Sequence, residues 1–394
     1  MSRLAVVISH PIQYYAPWFR GLTQESGLHL KVFYLWDFGV SHQRDRGFGQ
    51  QIQWDVPLLE GYDHTFVANA ALDPGTHHVA GLDNPTLVGD LLLWRPDAVL
   101  LFGYAWRSHL HLLLDPRLWG VPLMLRGDSH QLAPRLGLKP LLAQLLRNLL
   151  FRRFAAGLPV GQANSIWMAH SGIPRQRQFP APHAVDNARF QVAAPEAEAA
   201  ALQWRGSLGI QRHAPVVLFA GKFETKKRPL DLLQAFAALR HPSAVLVFVG
   251  AGALEHELKR QAASLGPGRV IFEGFQNQSA MPRTYALADL VVLPSYGAGE
   301  TWGLCINEAM NMAKPVLVSS HVGCGPDLVI RGETGWIVPA GDGDALRHAL
   351  SDALSDLNRL KTMGLAARAH IEHYSYAEAT AGLMAALRAV VLQP

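Results

Sequence analysis

Residues 297–319 read GAGETWGLCINEAMNMAKPVLVS, and the fold follows from them. The preceding run, DLVVLPS at 289–295, is apolar throughout, as a parallel strand buried on both faces is. From Gly303 to Met312 apolar residues recur at helical spacing, so a glycine-rich loop opens directly into a helix. The first N–H groups of a helix have no intrahelical partners and lie at the positive end of its dipole, which makes a ready anion site. KPVLVS then returns the chain to a strand. Two glutamates, Glu300 on the loop and Glu308 on the second helical turn, stand eight residues apart. A carboxylate only accepts hydrogen bonds, so Glu308 suits the paired hydroxyls of a ribose and Glu300 those of a sugar. A diphosphate bracketed by two diols is a nucleotide-sugar. The plainer alternative makes Glu300 a solvated loop residue and Glu308 a surface helix residue.

The same rhythm runs outward. LAVVIS near the amino terminus is followed by a helical pattern through Trp18, Phe19 and Leu22, then by LKVFYLW. Further strands are expected at 97–103, 122–126 and 157–161, and a second set at 216–221, 244–250, 269–275, 289–295, 314–320 and 335–340. Apolar strands alternating with helices predict an α/β fold with two doubly wound, Rossmann-like domains facing across a cleft. The Pro- and Ala-rich PAPHAVDNARFQVAAPEAEAA at 180–200 reads as the linker. The expected domains are 1–187 for the acceptor and 188–375 for the nucleotide-sugar, with a final helix at 376–394 crossing back to the first.

Composition narrows the function classes. A chain of 394 residues exceeds one comfortable core, and 49% hydrophobic with 17% charged residues describes a globular protein. The net charge of +4 carries no dense basic block, which argues against nucleic acid. Two cysteines, Cys305 and Cys324, give no disulfide framework and favour a reducing compartment. The run Leu4 to Ile8 is too short for a signal-peptide core, and no apolar stretch spans a bilayer. The expected location is the cytoplasm, with peripheral contact at the inner face of the membrane as an option.

The Glu-to-Glu stretch with its glycines and following strand resembles the signature of retaining GT-B glycosyltransferases, especially family 4 (glycosyl transferases group 1). The resemblance covers nearly the whole chain and implies a sugar moved from a nucleotide-diphosphate-sugar to a hydroxyl of a carbohydrate or lipid-linked acceptor. It makes Glu300 the donor-sugar contact and Glu308 the ribose contact, with the backbone of Thr301, Trp302, Gly303 and Leu304 on the diphosphate. After VVLFAG comes GKFETKKRPLDLL, whose basic residues precede a helix and suit a phosphate. By resemblance Lys222 and Lys227 are the diphosphate ligands, with Lys222 where the family more often has Arg. The loop after RVIFEGF receives the nucleobase through backbone groups of Phe275 and Gln276. GAG at 250–252 lacks the third glycine of a dinucleotide fingerprint, Glu255 standing there, and is read as a structural turn.

The first domain supplies the rest of the cleft. SHPIQYY offers His10, as a cleft contact or a helix-start hydrogen bonder, with Gln13 and Tyr14 on the acceptor side. PLMLRGDSH leads into the loop where many relatives carry a donor-sugar histidine; here the nearest match falls on Gly127 or Asp128 and His130 lies further on, so Asp128 ranks above His130 as the catalytic candidate and His130 is placed on the acceptor side. Tyr104, Trp106 and Arg107 form a further acceptor surface, although packing explains Trp106 equally well. Asp342 and Asp344 mimic a metal-binding pair but stand where a helix cap is expected. The histidines at 77, 78, 109 and 111 lack ligand spacing, so no metal or other cofactor is expected. The leucine stripe of 139–158 (Leu141, Leu145, Leu149) is read as core, with an anionic membrane surface as the alternative. Two other functions remain beside transfer: a nucleotide-sugar hydrolase or epimerase on the same fold, and a non-catalytic two-domain sugar-binding protein.

Overall fold

The computed structural model describes residues 2–391 except 42, 43, 46, 48, 49 and 134–137, and describes only the backbone of 44, 45, 50, 51 and 138–141. The first sheet contains β1 (Ser2–Ile8), β2 (Leu28–Tyr34), β5 (Asp63–Phe66), β6 (Ala98–Phe102), β7 (Leu123–Gly127) and β8 (Phe154–Pro159), with β3 (Arg44–Asp45) and β4 (Gln50–Gln51) as a separate antiparallel pair. The second contains β9 (Val216–Ala220), β10 (Val245–Val249), β11 (Val270–Glu273), β12 (Leu290–Leu293), β13 (Val316–Ser319) and β14 (Gly335–Val338). Both six-stranded sheets are parallel throughout, ordered β5-β2-β1-β6-β7-β8 and β11-β10-β9-β12-β13-β14. The central strands are buried along their full length because helices cover both faces. Each sheet has a switch point where strand order reverses, at β1/β6 and at β9/β12. Ligands of such sheets sit beyond the strand carboxyl ends at these points.

Three sequence expectations change. β5 has no apolar run to announce it, being a short edge strand with a part-exposed sequence, DHTF. The linker is largely a helix: Asn187–Ser207 is capped by the Asp186 side chain and continues through Pro195. Its buried Phe190, Ala194, Ala197 and Ala201 recur at helical spacing and pack it onto the second domain's core. The leucine stripe is not core. The helix ends at Phe151, before β8, and exposes Leu142, Leu145, Leu146 and Leu149, each at 57–69%. Leu141 falls among the residues whose side chains are not described. Among the described residues, no helix is long and apolar enough to cross a membrane.

The final helix, Tyr376–Val391, buries Ala379, Leu383, Ala386 and Leu387 in the cluster that holds Val6, Trp18 and Phe102 of the first domain. Trp18 Nε1 donates to Thr380 Oγ1 at 3.0 Å. The chain thus leaves the first sheet, builds the second, and finishes packed against the first.

Candidate active site

The loops after β9 and β12 leave the second sheet at its switch point and meet the helix-start loop after β1 of the first. Between them lies a cavity of about 390 Å³, lined among others by Gln13, Tyr14, Lys222, Lys227, Phe275, Gln276, Glu300 and Glu308. Two glycines permit its walls. Gly303 has φ +103° and begins the helix Leu304–Asn311, and a Cβ there would come within 2.8 Å of Leu293. A Cβ on Gly250 would meet the Gly221 carbonyl oxygen at 2.0 Å, so the GAG turn serves close backbone approach.

Glu300 is 8% exposed and held on three sides. Lys227 Nζ lies 2.6 Å from its Oε2, and Ser295 Oγ donates to the same oxygen at 2.9 Å. Burial works against the Lys227 ammonium, but Glu300 beside it holds the pKa above the ordinary lysine value. The backbone carbonyl of Glu300 accepts from His130 Nε2 at 3.1 Å. Because the Leu132 N–H donates to His130 Nδ1, Nδ1 is an acceptor and Nε2 carries the proton. His130 therefore braces the Glu300 loop through its backbone from the opposite domain.

Glu308, 2% exposed, takes two phenols. Tyr285 donates to Oε2 at 2.6 Å and Tyr14 to Oε1 at 3.1 Å. Burial raises its pKa, and the two phenols and the charge of Arg189 oppose that rise. Tyr14, expected on the acceptor side, instead reaches the proposed ribose carboxylate. Cys305 also lines the cavity, its thiol pushed up to about 12 by burial and therefore protonated.

Asp128 and Thr301 join the domains outside the cavity lining: the Thr301 hydroxyl donates to Asp128 Oδ2 at 2.7 Å. Burial would raise the Asp128 pKa, but His183 and Thr301 hold it below the usual carboxylate value. His183 Nε2 is 3.7 Å from Asp128, and burial lowers the imidazole's pKa against the pull of that carboxylate. His183 lies in the linker and carried no motif; only its place between the domains marks it.

Other expected site residues stand elsewhere. Trp302 is 3% exposed, donates to Asn307 Oδ1 at 2.8 Å and tilts against His183, so its ring is core and outside the cavity lining. His10 lies outside the cavity lining; its Nδ1 is 2.9 Å from Ser9 Oγ and its ring meets Trp36 and Phe38 edge-on. Tyr104 packs against Phe151 and Trp167, and Arg107 pairs with Asp83 at 2.7 Å, both away from the cavity. Leu304 lines it as the first residue of the helix.

Phe275 and Gln276 form a wall that the first domain closes. Trp54 faces Phe275 with ring centroids 6.1 Å apart, Asn277 Nδ2 donates to the Gln53 carbonyl at 2.7 Å, and the Ser279 N–H donates to Asp55. The segment 53–55, Gln-Trp-Asp, belongs to no element and gave no sequence signal. Arg189 on the interdomain helix donates to the backbone and side chain of Gln278 at 2.7 and 2.9 Å, fixing that same wall.

Asp342 accepts from the Ala345 N–H at 2.8 Å, as a helix cap does. Among the described residues one cluster brings three metal-type donors within 4.8 Å: Asp73, His77 and His78, against the sequence reading that these histidines lack ligand spacing. The turn between them, not helical periodicity, gathers them, and none lines the cavity.

Residues 201–370 match the family Glycosyl transferases group 1. The chain is 34% identical over 223 residues to a D-inositol 3-phosphate glycosyltransferase of Nocardia farcinica, covering 54% of this chain and 48% of the relative. It is 34% identical over 196 residues to a GDP-mannose-dependent alpha-(1-6)-phosphatidylinositol monomannoside mannosyltransferase of Mycolicibacterium smegmatis, covering 48% and 50%. The aligned part thus spans about half the length of these two relatives. In structure the chain resembles Anabaena HepE in complex with UDP and glucose, with a TM-score of 0.73 over 98% of this chain and 99% of that one at 18% identity. Residues 201–370 therefore belong to the glycosyl transferases group 1, within a chain that has the two-domain GT-B fold throughout.

Proposed function

We propose that this protein is a retaining glycosyltransferase that moves a sugar from a nucleotide-diphosphate-sugar to a hydroxyl acceptor. The observation that carries the reading is the convergence of Glu300, Glu308, Lys222, Lys227 and the Gly303 helix start on one cavity between the domains. In this reading Glu308 accepts from the ribose diol, and Phe275 and Gln276 border the base. Lys222, Lys227 and the N–H groups from Thr301 to Leu304 take the diphosphate. As the bond from the anomeric carbon to the phosphate oxygen breaks, negative charge grows on the diphosphate and positive charge on the sugar. Ammonium groups and helix-start amides already in place stabilise the former without reorganising. Glu300 orients the sugar hydroxyls. The acceptor oxygen forms the new bond on the face the diphosphate leaves, and its proton passes to a phosphate oxygen. Lysines supplying the charge make a bound metal unnecessary, and no other cofactor is proposed.

Contacts across the cleft, Asp128 to Thr301 and His130 to the Glu300 carbonyl, keep the sugar side shut against water. One relative is a GDP-mannose-dependent phosphatidylinositol monomannoside mannosyltransferase and the structural neighbour holds UDP, so UDP- and GDP-sugars and a lipid-linked acceptor are the substrates to try. The exposed leucine face of 142–149, with Arg152 exposed at its end, supports peripheral membrane contact near such an acceptor. The test is incubation of the pure protein with UDP- and GDP-sugars, with and without carbohydrate or lipid-linked acceptors, followed by assignment of the product's anomeric configuration. Acceptor-dependent nucleotide release with retained configuration supports the proposal. Equal release without acceptor favours a hydrolase, and sugar binding without release favours a binding protein.

A further inference from the structure

We propose that Tyr14 is a positioning residue that makes the ribose-holding geometry of Glu308 conditional on closure of the two domains. The inference rests on the reading of Glu308 as the ribose carboxylate. A carboxylate offers about four acceptor sites, two on each oxygen. Tyr285, from the same domain as Glu308, takes one on Oε2 at 2.6 Å; Tyr14, from the opposite domain, takes one on Oε1 at 3.1 Å. The Gln278 side chain also reaches Glu308 and Tyr14, so a vicinal diol takes the sites the phenols leave, one on each oxygen, by sharing or replacing that contact. With both phenols in place the carboxylate cannot rotate without losing a hydrogen bond, so those two sites are aimed in advance.

Tyr14 is itself fixed to the first domain. Its backbone carbonyl accepts from the Tyr376 hydroxyl at 2.8 Å, at the start of the helix that returns to the first sheet. Tyr14 therefore travels with that domain. Opening the cleft withdraws its hydroxyl from Oε1 and leaves Glu308 to Tyr285 and Gln278 of its own domain. Closure and ribose recognition are in this way one equilibrium, and a ligand that binds the closed form better shifts it.

The test is calorimetric titration of wild type, Tyr14→Phe, Tyr285→Phe and Glu308→Ala with UDP and GDP and with their 2′,3′-dideoxy counterparts. Hydrogen bonds to a charged group predict a preference of about tenfold or more for the ribonucleotide in wild type. Tyr14→Phe is expected to lose most of that preference while binding the dideoxy nucleotide within about twofold of wild type. X-ray scattering of the nucleotide-free protein should show a larger radius of gyration for Tyr14→Phe, restored by nucleotide, and no change for Tyr285→Phe. Equal weakening of both nucleotides by Tyr14→Phe, or an unchanged radius, overturns the inference while leaving the ribose reading intact. A preference that survives in Glu308→Ala, or failure of UDP and GDP to bind at all, sinks the ribose reading itself and the inference with it.

Discussion

Replacing Lys227 by alanine should expose how the loop after β12 is held. Lys227 Nζ and Glu300 Oε2 are 2.6 Å apart, with side chains only 15% and 11% exposed. Removing the lysine leaves Oε2 with the Ser295 hydroxyl and without its charge partner. Breaking a buried pair from one side costs about 3–5 kcal/mol, because the remaining charge stays desolvated. This pair lies near the surface of the cleft, so the lower end, about 3 kcal/mol, applies. For a unit the size of the second domain that is a fall of roughly 6–12 °C in its unfolding temperature. Removing both charges, as Lys227→Met/Glu300→Gln, should recover most of the loss, since no uncompensated ion is then buried. Differential scanning calorimetry at pH 7.5 without nucleotide reads both effects. A single variant within 2 °C of wild type would contradict the assigned pairing, as would a double variant whose loss equals the sum of the two single substitutions.

Other outcomes follow from the same geometry. Asp327 accepts the Gln162 N–H across the domain interface with both oxygens at 3.0 Å, yet burial pushes its pKa up to about 6 from an ordinary 3.8. A raised carboxylate favours the folded state when protonated; that contribution is complete below pH 3.8 and is lost as pH rises through 6. The unfolding temperature of Asp327→Asn minus that of wild type should therefore climb between pH 4 and pH 7, by an amount worth at most about 3 kcal/mol; a flat difference refutes it. Leu145→Glu/Leu149→Glu should abolish sedimentation with phosphatidylglycerol-containing vesicles without lowering the unfolding temperature, because both leucines are more than half exposed; unchanged sedimentation removes this face as a membrane contact. Transfer should survive EDTA within about twofold, and loss of activity restored by a divalent ion would show that the lysines do not suffice.

How much of this was legible depends on where the information sits. The alternating apolar strands and the Gly303 helix start are local patterns, and they marked most strands of both sheets and the loops that form the cavity's second-domain wall. Phe190, Ala194, Ala197 and Ala201 carried a helical stripe too, but the surrounding prolines and alanines hid it as a linker. The leucines of 142–149 have the spacing of a core helix, and periodicity cannot say whether a partner exists for the apolar face. Contacts between domains were the least legible. Tyr14 on Glu308, His130 on the Glu300 carbonyl and Asp55 on Ser279 join residues 170 or more positions apart, and no local pattern encodes such pairs. Tyr285, Ser295 and His183 each act by supporting a motif residue, so only the folded chain shows what they touch.

The central claim is a nucleotide-diphosphate site built on Glu308. Calorimetric titration with UDP and GDP, on wild type and on Glu308→Ala, tests it most directly. The account predicts saturable one-to-one binding of at least one of the two, weakened about tenfold or more when the carboxylate is removed. Binding that is indifferent to Glu308→Ala, or none by either nucleotide, would contradict it.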